Sequence, residues 1–284
     1  MTTPSSKKKF AVVGNPIAHS RSPAIHAQFA MQTGIALDYD TICSPLDEFT
    51  ATVEGFFNAG GNGLNITLPF KEQAWALAAD GLSPRARLAG AVNTLWMEAG
   101  VLQGCNTDGV GLLADIRRLG FEPAGKSILL VGAGGAAKGV VYPLLDAGCV
   151  ALRVVNRSPQ RALALCDEAR QHLPQFSERI SAGALSEASG FWDIVINATS
   201  SSLSSQAPAL PGARFANRSL AYDMFYAPQP TAFMAAAGEQ GASHTADGLG
   251  MLVAQAAASF EIWNGVRPQI EPVLQLLRQQ LKTG

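Results

Sequence analysis

A glycine-rich run in the middle of the chain constrains the fold more than any other feature of the sequence. The run, Gly132-Ala133-Gly134-Gly135-Ala136-Ala137, matches G-x-G-x-x-A and directly follows the apolar segment from Ile128 to Val131. A strand, a tight glycine turn and a helix in this order form a phosphate-binding unit, because the helix N-terminus points its N–H groups at a pyrophosphate. A bare strand-to-helix turn could have the same letters, so the flanking strand and helix carry the argument. The sequence predicts a Rossmann-type nucleotide site formed by Gly132, Ala133, Gly134, Gly135 and Ala136.

The end of the next predicted strand indicates which nucleotide binds. An NAD site places Asp or Glu there, about 20 residues past the glycine motif, to bind the ribose 2′-OH. This chain instead has Asn156-Arg157-Ser158, followed by Arg161. Ser158 and Pro159 also form an ordinary helix start. Two arginines near a helix N-terminus suit a 2′-phosphate, which an acidic residue would repel, so we predict that the cofactor is NADP.

Segments typical of strands and helices alternate along the chain on both sides of the glycine run. In the N-terminal third the predicted strands are KFAVVG, LDYDTIC and GLNITLPF, each followed by a helical pattern. After the glycine run the predicted strands are LRVVNR, DIVINAT and LAYDMFY, and two helical patterns close the chain. This order predicts an α/β fold with mostly parallel sheets. The length of 284 residues suits two domains, which the helix beginning at Asp108 would connect.

The charge balance and the cysteine pattern exclude several classes of ligand and location. The chain has 21 Lys plus Arg against 22 Asp plus Glu, so it offers no basic surface to nucleic acid or to an anionic membrane. No stretch reaches ~18 uninterrupted apolar residues, and the apolar run after Lys9 is too short for a signal peptide, so we expect a cytoplasmic protein. Cys and His do not occur at zinc-ligand spacing, so we expect no metal site. The expected partners are small molecules.

Polar side chains that could bind a substrate collect near the ends of predicted strands. They are Ser20, Ser22, Asn65, Thr67, Lys71, Asn93 and Asp108. Each has an ordinary explanation by itself: Ser22 and Asp108 as helix N-caps, Asn93 as a turn residue and Lys71 as a solvated charge. Together they supply hydroxyls, amides, an ammonium and a carboxylate at the edge where open α/β sheets bind ligands. This set indicates a small polyhydroxylated acid.

Reducing a ketone requires a hydride donor and a proton donor. Lys71 could pass a proton to the developing alkoxide while Asp108 orients the ammonium. Histidine is the commoner proton donor, and His19 and His26 lie near these clusters. Both are equally well explained as ordinary, partly buried histidines, so the sequence leaves the proton donor open between the lysine and a histidine.

The motifs together resemble those of the shikimate dehydrogenase family. The segments that carry the resemblance are VVGNPIAHSRSPAIH, LNITLPFKE, AGAVNTL, NTDGVGLL, VGAGGAAKGV, NRS, INATS, YDMFY and ADGLGMLVAQAA, in this order across nearly the entire chain. The resemblance implies a two-domain α/β oxidoreductase. It would reversibly reduce 3-dehydroshikimate to shikimate with NADPH, a step in the biosynthesis of chorismate and the aromatic amino acids.

The resemblance also implies roles for individual residues. The lysine of PFK and the aspartate of NTD are the catalytic pair of the family, which gives those roles to Lys71 and Asp108. The residues implied to bind substrate are Ser20, Ser22, Asn65, Thr67, Lys71, Asn93, Asp108, Tyr226 and Gln255. The residues implied to bind the cofactor are the glycine run, Asn156, Arg157, Ser158, Arg161, Thr199, Met224 and Gly248.

The resemblance implies a discontinuous first domain. Residues 1–108 and 249–284 would form the substrate-binding and catalytic domain, because the last two helices return to it. Residues 109–248 would form the Rossmann-type NADP-binding domain, with a cleft between the two.

Two other functions fit the same fold. One is a quinate/shikimate dehydrogenase of broader specificity, although quinate-preferring relatives often carry threonine at the position of Ser22 and an acidic residue in place of Asn156-Arg157-Ser158. The other is a non-catalytic NADP-binding sensor, which would not need Lys71 or Asp108. The sequence is compatible with a monomer or a homodimer.

Overall fold

The structure is a computed structural model that describes residues 7–199, 201 and 206–283. Ser200, the last residue of the INATS motif, therefore lies outside the described residues. The chain divides into two compact units. The first comprises the residues up to Thr107 together with Val253–Val273, and the second comprises Asp108–Leu252 together with the residues from Leu274 onward.

The first unit contains one sheet of six strands in the order β2-β1-β3-β5-β6-β4. The strands are β1 (Lys8–Gly14), β2 (Leu37–Cys43), β3 (Gly63–Ile66), β4 (Gly81–Leu82), β5 (Thr94–Glu98) and β6 (Val101–Cys105). The helices are α1 (Ser22–Thr33), α2 (Phe49–Asn58), α3 (Lys71–Leu77) and α4 (Pro84–Ala89). Strands β1, β2 and β3 are parallel, whereas β5 runs antiparallel to both β3 and β6. Leu64 and Ile66 of β3 are buried in the core of this unit with Phe49, Phe70 and Leu95.

The second unit contains a sheet of six parallel strands in the order β12-β11-β10-β7-β8-β9. The strands are β7 (Ser127–Val131), β8 (Ala151–Asn156), β9 (Ile180–Ala184), β10 (Gly190–Asn197), β11 (Ala213–Asp223) and β12 (His244–Asp247). The helices are α5 (Asp108–Arg118), α6 (Gly135–Asp146), α7 (Pro159–His172), α8 (Ala232–Glu239), the start of α9 (Leu249–Asn264) and most of α10 (Glu271–Thr283). Ile128–Val131 is fully buried, as expected of a central parallel strand.

The predicted α/β class and the mostly parallel sheets are confirmed. Every strand predicted from the sequence is present, and Leu37–Cys43 has the predicted bounds. Gly34 ends α1 in the left-handed conformation, with φ 69°. Within the described residues, no helix is both long and apolar enough to span a bilayer.

Two predicted helix caps are wrong by one residue. Ser22 is the first residue of α1 and Arg21 is its N-cap, since Arg21 already has φ −87° and ψ −7°. The Ser22 hydroxyl is therefore not used as a cap. Asp108 is likewise the first residue of α5 and not the residue before it, a position where its charge suits the positive end of the helix dipole.

At the last helix, α10, the two compact units divide the chain differently from the predicted domains. The predicted domain bounds stay a prediction. The family resemblance implies that all of 249–284 belongs to the first domain, whereas the residues from Leu274 belong to the second compact unit. Arg278 of α10 explains this placement. Its guanidinium donates two hydrogen bonds to the carboxylate of Asp247, at 2.5 and 2.6 Å, and so joins α10 to the end of β12.

Candidate active site

The glycine run forms the turn between β7 and α6. Gly132 has φ 113°, and a Cβ there would lie 3.0 Å from the backbone that follows β10, so the turn requires glycine. Gly134 is the N-cap of α6 and Gly135 its first residue; a Cβ added to either would meet no atom within 4 Å. Ala133 is half-buried in the turn, and Ala136 is exposed on the first turn of the helix. The start of α6 is therefore accessible to a pyrophosphate, as the sequence predicted.

Two exposed arginines follow β8. Arg157 comes directly after the strand, and Arg161 lies in the first turn of α7. Among the described residues neither guanidinium forms an ion pair. Ser158 occupies the N-cap of α7 but its side chain accepts no helix N–H, and Asn156 Nδ2 donates to the Ser158 carbonyl at 3.0 Å. These residues fit a 2′-phosphate, since they present two cations and the segment contains no carboxylate that would repel it.

Three further residues predicted for the cofactor follow the neighbouring strands. Thr199 comes after β10, Met224 after β11 and Gly248 after β12, at the sheet edge where β7 leads into the glycine turn. A Cβ at Gly248 would overlap the Met224 carbonyl oxygen, so only glycine fits there. Thr199 Oγ1 donates to Asn197 Oδ1 at 2.7 Å. Tyr226, predicted for substrate binding, lies two residues after Met224 and stacks on Phe225.

In the first unit, predicted substrate residues lie where β1 and β3 end. Thr67 follows β3, and its N–H donates to the Val13 carbonyl at 2.9 Å, which joins it to the end of β1. A Cβ at Gly14 would lie 2.5 Å from Thr67 Cγ2, so glycine is required to let the two loops approach. Lys71 begins α3, a position where the helix dipole disfavours a cation, so helix stability does not explain it. Ser20 lies before α1, and its Oγ accepts from the Ser22 N–H at 3.3 Å.

Asn65 lies on β3 and its side-chain amide is already held by protein groups. Tyr39 Oη donates to Asn65 Oδ1 at 2.7 Å. Asn65 Nδ2 donates to the Asn93 carbonyl and to Ser259 Oγ, both at 3.0 Å. Only 6% of Asn65 is exposed. The polar atoms of Asn65 therefore face a buried network.

Asn93 is the centre of that network. Its Oδ1 accepts from the Thr107 N–H and from Thr94 Oγ1, each at 2.9 Å. Gln255 of α9 is connected through its Oε1, which lies 3.4 Å from both Asn93 Nδ2 and Thr107 Oγ1. The structure thus brings Asn65, Asn93 and Gln255 together, although the sequence separates them widely. Asn93 is a buried network residue and not only a turn residue.

The two histidines left open by the sequence are distinguished by burial. His26 is fully buried, and burial lowers its pKa from 6.5 to about 3, against a smaller raising effect of the Asn65 side chain. This lowered pKa keeps the ring neutral at physiological pH, so it has no acidic proton to transfer. His19 is exposed in the loop before α1. These properties favour Lys71 as the proton donor.

Four residues of the substrate network were not predicted from the sequence: Tyr39, Thr94, Thr107 and Ser259. Thr107 immediately precedes Asp108, and Ser259 lies one helical turn after Gln255 on α9. Thr94 and Thr107 also lie within the AGAVNTL and NTDGVGLL motifs, whereas Tyr39 has no comparable signal. Both predicted catalytic residues are half-buried, and each is the first residue of a helix.

Family models match three parts of the chain. Residues 12–95 match the shikimate dehydrogenase substrate binding domain, residues 116–207 match shikimate / quinate 5-dehydrogenase, and residues 248–278 match the shikimate 5′-dehydrogenase C-terminal domain. The matched regions include the polar ends of β1 and β3, the glycine turn and α9.

Individual relatives resemble the chain over nearly its whole length. A shikimate dehydrogenase (NADP(+)) of Bordetella avium is 59% identical over 281 residues, covering 99% of both chains. The crystal structure of an Ael1 enzyme from Pseudomonas putida is similar with a TM-score of 0.87 and 43% identity, covering 95% of this chain and 98% of that one. A shikimate 5-dehydrogenase of Thermus thermophilus, solved with NADP(H) and shikimate, has a TM-score of 0.83 and 35% identity, covering 96% of this chain and 100% of that one. The chain belongs to the shikimate dehydrogenase family of NADP(+)-dependent oxidoreductases.

Proposed function

We propose that the chain reversibly reduces 3-dehydroshikimate to shikimate with NADPH, and that Lys71 and Asp108 are its catalytic pair. The observation that carries the proposal is the 59% identity, over 99% of both chains, to a shikimate dehydrogenase (NADP(+)). The hydrogen-bonded side-chain amides of Asn65 and Asn93 support it, because a small polyol needs polar groups held in fixed places. The reaction belongs to the biosynthesis of chorismate and the aromatic amino acids.

NADPH, when bound, would supply the hydride that reduces the substrate carbonyl. The carbonyl oxygen then gains negative charge, and the Lys71 ammonium donates the proton that makes it a hydroxyl. In this proposal the Asp108 carboxylate orients the Lys71 ammonium. In the reverse direction Lys71 takes the hydroxyl proton. Ser20, Ser22, Asn65, Thr67, Asn93, Tyr226 and Gln255 bind the substrate in this proposal.

The cofactor residues have separate tasks in the proposal. The N–H groups at the start of α6 hold the pyrophosphate, while Arg157 and Arg161 hold the 2′-phosphate. Thr199, Met224 and Gly248 line the nicotinamide side. The segment after β8 contains no acidic residue, and its two exposed guanidinium groups support NADP over NAD.

An absorbance assay at 340 nm tests the function directly. Purified protein mixed with shikimate and NADP(+) should form NADPH, and no shikimate-dependent formation would refute the proposal in favour of a sensor. Comparing kcat/KM for shikimate and quinate decides between a shikimate-specific enzyme and a broader one. Ser22 and Asn156-Arg157-Ser158 support the specific enzyme.

We place the enzyme in the cytoplasm and expect a monomer or a homodimer. All four cysteines carry free thiols, three of them buried, which suits a reducing compartment. Light scattering coupled to size-exclusion chromatography would decide between the two assembly states.

A further inference from the structure

The amide of Asn65 is held between two buried hydroxyl groups. Tyr39 Oη is 2.7 Å from Oδ1 on one side, and Ser259 Oγ is 3.0 Å from Nδ2 on the other. Tyr39 is 9% exposed and Ser259 is fully buried. Water therefore cannot readily replace either hydroxyl.

The Asn93 carbonyl fixes which way the amide points. A carbonyl oxygen only accepts, so the atom 3.0 Å from it must be Nδ2, and Oδ1 must face Tyr39. The phenol then has to donate, which it does as a neutral group, because burial raises the pKa of Tyr39 well above 10. Both Nδ2 hydrogens are used by Asn93 and Ser259, whereas Oδ1 retains one lone pair. Asn65 can therefore accept a hydrogen bond from a ligand but has no hydrogen left to donate.

Ser259 connects Asn65 to the rest of the buried network. Its hydroxyl lies 2.8 Å from Thr94 Oγ1 and 3.2 Å from Thr107 Oγ1. It also donates to the carbonyl of Gln255, one turn earlier on α9, at 3.1 Å. One oxygen thus joins α9 to β3, β5 and the segment that precedes Asp108.

Tyr39 has the corresponding position on the other side. Its ring stacks on His26 with the ring centres 4.2 Å apart and an angle of 9° between the planes. A hydrogen bond from Ser22 lowers the pKa of Tyr39 against the larger effect of burial, so the same hydroxyl contacts two residues predicted to bind substrate. The stacked ring would remain in place if only its oxygen were removed.

We propose that Tyr39 and Ser259 are positioning residues of the substrate site, whose hydroxyls hold Asn65 in the orientation in which it accepts a hydrogen bond from a substrate hydroxyl. The inference rests on the proposed function, in which Asn65 contacts shikimate. It adds two residues that do not themselves contact substrate.

Tyr39→Phe and Ser259→Ala test the inference in the full-length enzyme, with kcat and KM measured for shikimate and for NADP(+). Each should raise the KM for shikimate roughly threefold to tenfold, the equivalent of one net hydrogen bond, and leave the KM for NADP(+) unchanged. Ser219→Ala is the matched control. Ser219 is also fully buried, exchanges hydrogen bonds with Ser243 in the second unit, and should leave the shikimate KM unchanged.

A double-mutant cycle separates positioning from a general loss of structure. In an Asn65→Ala background, Tyr39→Phe and Ser259→Ala should change the shikimate KM by less than about twofold, because their effect passes through the missing amide. The inference would be overturned if either substitution raised the shikimate KM by the same factor in the Asn65→Ala background as in the wild type. An unchanged shikimate KM in the single variants would also overturn it. If Ser259→Ala does not fold, Tyr39→Phe decides, since it keeps the ring. A wild-type enzyme without shikimate turnover would refute the proposed function, and the inference with it, whereas an active wild type with unaffected variants refutes the inference alone.

Discussion

The two regions assigned to substrate and nucleotide differ in where they place their polar groups. The substrate region, made of Ser20, Ser22, Asn65, Thr67, Lys71, Asn93 and Gln255, contains buried amides that are hydrogen-bonded to the protein. The nucleotide region, made of the glycine turn, Arg157, Ser158 and Arg161, consists mostly of exposed groups whose charges are not paired within the described residues.

The difference matches the two kinds of ligand. A small polyol presents hydroxyls in a fixed arrangement, and buried donors and acceptors with fixed orientation recognise that arrangement by leaving a polar group unpaired when the wrong ligand binds. A phosphate presents concentrated charge, which exposed cations attract without needing precise geometry. Orientation should therefore dominate in the first region and charge in the second.

Replacing Lys71 should have the largest effect, because Lys71 transfers the proton in the proposed reaction. Lys71→Ala should lower kcat by about two to four orders of magnitude, the usual effect of removing a proton-transfer group, with a much smaller change in the shikimate KM. Steady-state kinetics on purified protein would measure both. Lys282→Ala, an exposed lysine of α10, is the control and should leave both constants unchanged. A variant that loses binding but little turnover would make Lys71 a substrate clamp.

The positive charge of Arg157 and Arg161 should determine whether the enzyme prefers NADPH or NADH. Arg157→Asp combined with Ser158→Gly should raise the KM for NADPH roughly a hundredfold, because it removes a charge-assisted bond to the 2′-phosphate and adds repulsion. The KM for NADH, which lacks that phosphate, should change far less. Arg214→Asp makes a similar charge change at an exposed site on β11 and is the control. Equal effects on both cofactors would contradict a 2′-phosphate site.

His26 provides a pH test of the buried region. Its pKa is about 3 in the folded protein and near 6.5 when unfolded, so at low pH the unfolded chain binds a proton that the folded chain does not. Its contribution to stability is therefore complete above about pH 6.5 and is lost as the pH falls toward 3. The loss should reach about 2 kcal/mol at pH 5.

His26→Phe keeps an aromatic ring against Tyr39 but cannot be protonated. The free energy of unfolding of this variant, measured with urea at pH 7 and pH 5, should fall by about 2 kcal/mol less than that of the wild type. His19→Gln, which changes an exposed histidine, should retain the full decline. An identical decline in His26→Phe and wild type would show that His26 does not titrate with a lowered pKa.

The predictable part of the fold was the part with local signals. Strands β1 and β2 are apolar or alternating runs ended by turn residues, and their positions were predicted correctly. The antiparallel pair β5–β6 was not predicted. Its two-residue turn is Ala99-Gly100, with φ 50° and 80°. A turn of this type is usually recognised in a sequence by Asn or Asp at its first position. Alanine in that conformation gives no such signal.

The predictable part of the site was likewise local. The glycine turn and the two arginines could be predicted because strand, turn and helix are contiguous in the sequence. The roles of Tyr39 and Ser259 could not, since Ser259 is separated by 194 residues from the amide that it accepts from. Only folding brings Tyr39 and Ser259 next to Asn65. A serine or tyrosine in an apolar segment has no sequence feature that indicates its hydrogen-bond partner.

The smallest expected effect is the difference between the two regions in how the KM of their ligands depends on ionic strength. Between about 0.05 and 0.5 M salt the screening length falls from beyond 10 Å to a few Å, so exposed charges lose most of their long-range attraction. The KM for NADPH should rise roughly threefold to tenfold over this range, and the KM for shikimate by less than about twofold. In the variant that combines Arg157→Ala with Arg161→Ala, the KM for NADPH should rise less steeply with salt concentration, because the two exposed cations have been removed. Equal salt dependence for both ligands in the wild type would mean that charge serves both regions alike, and the contrast between buried orientation and exposed charge would not hold.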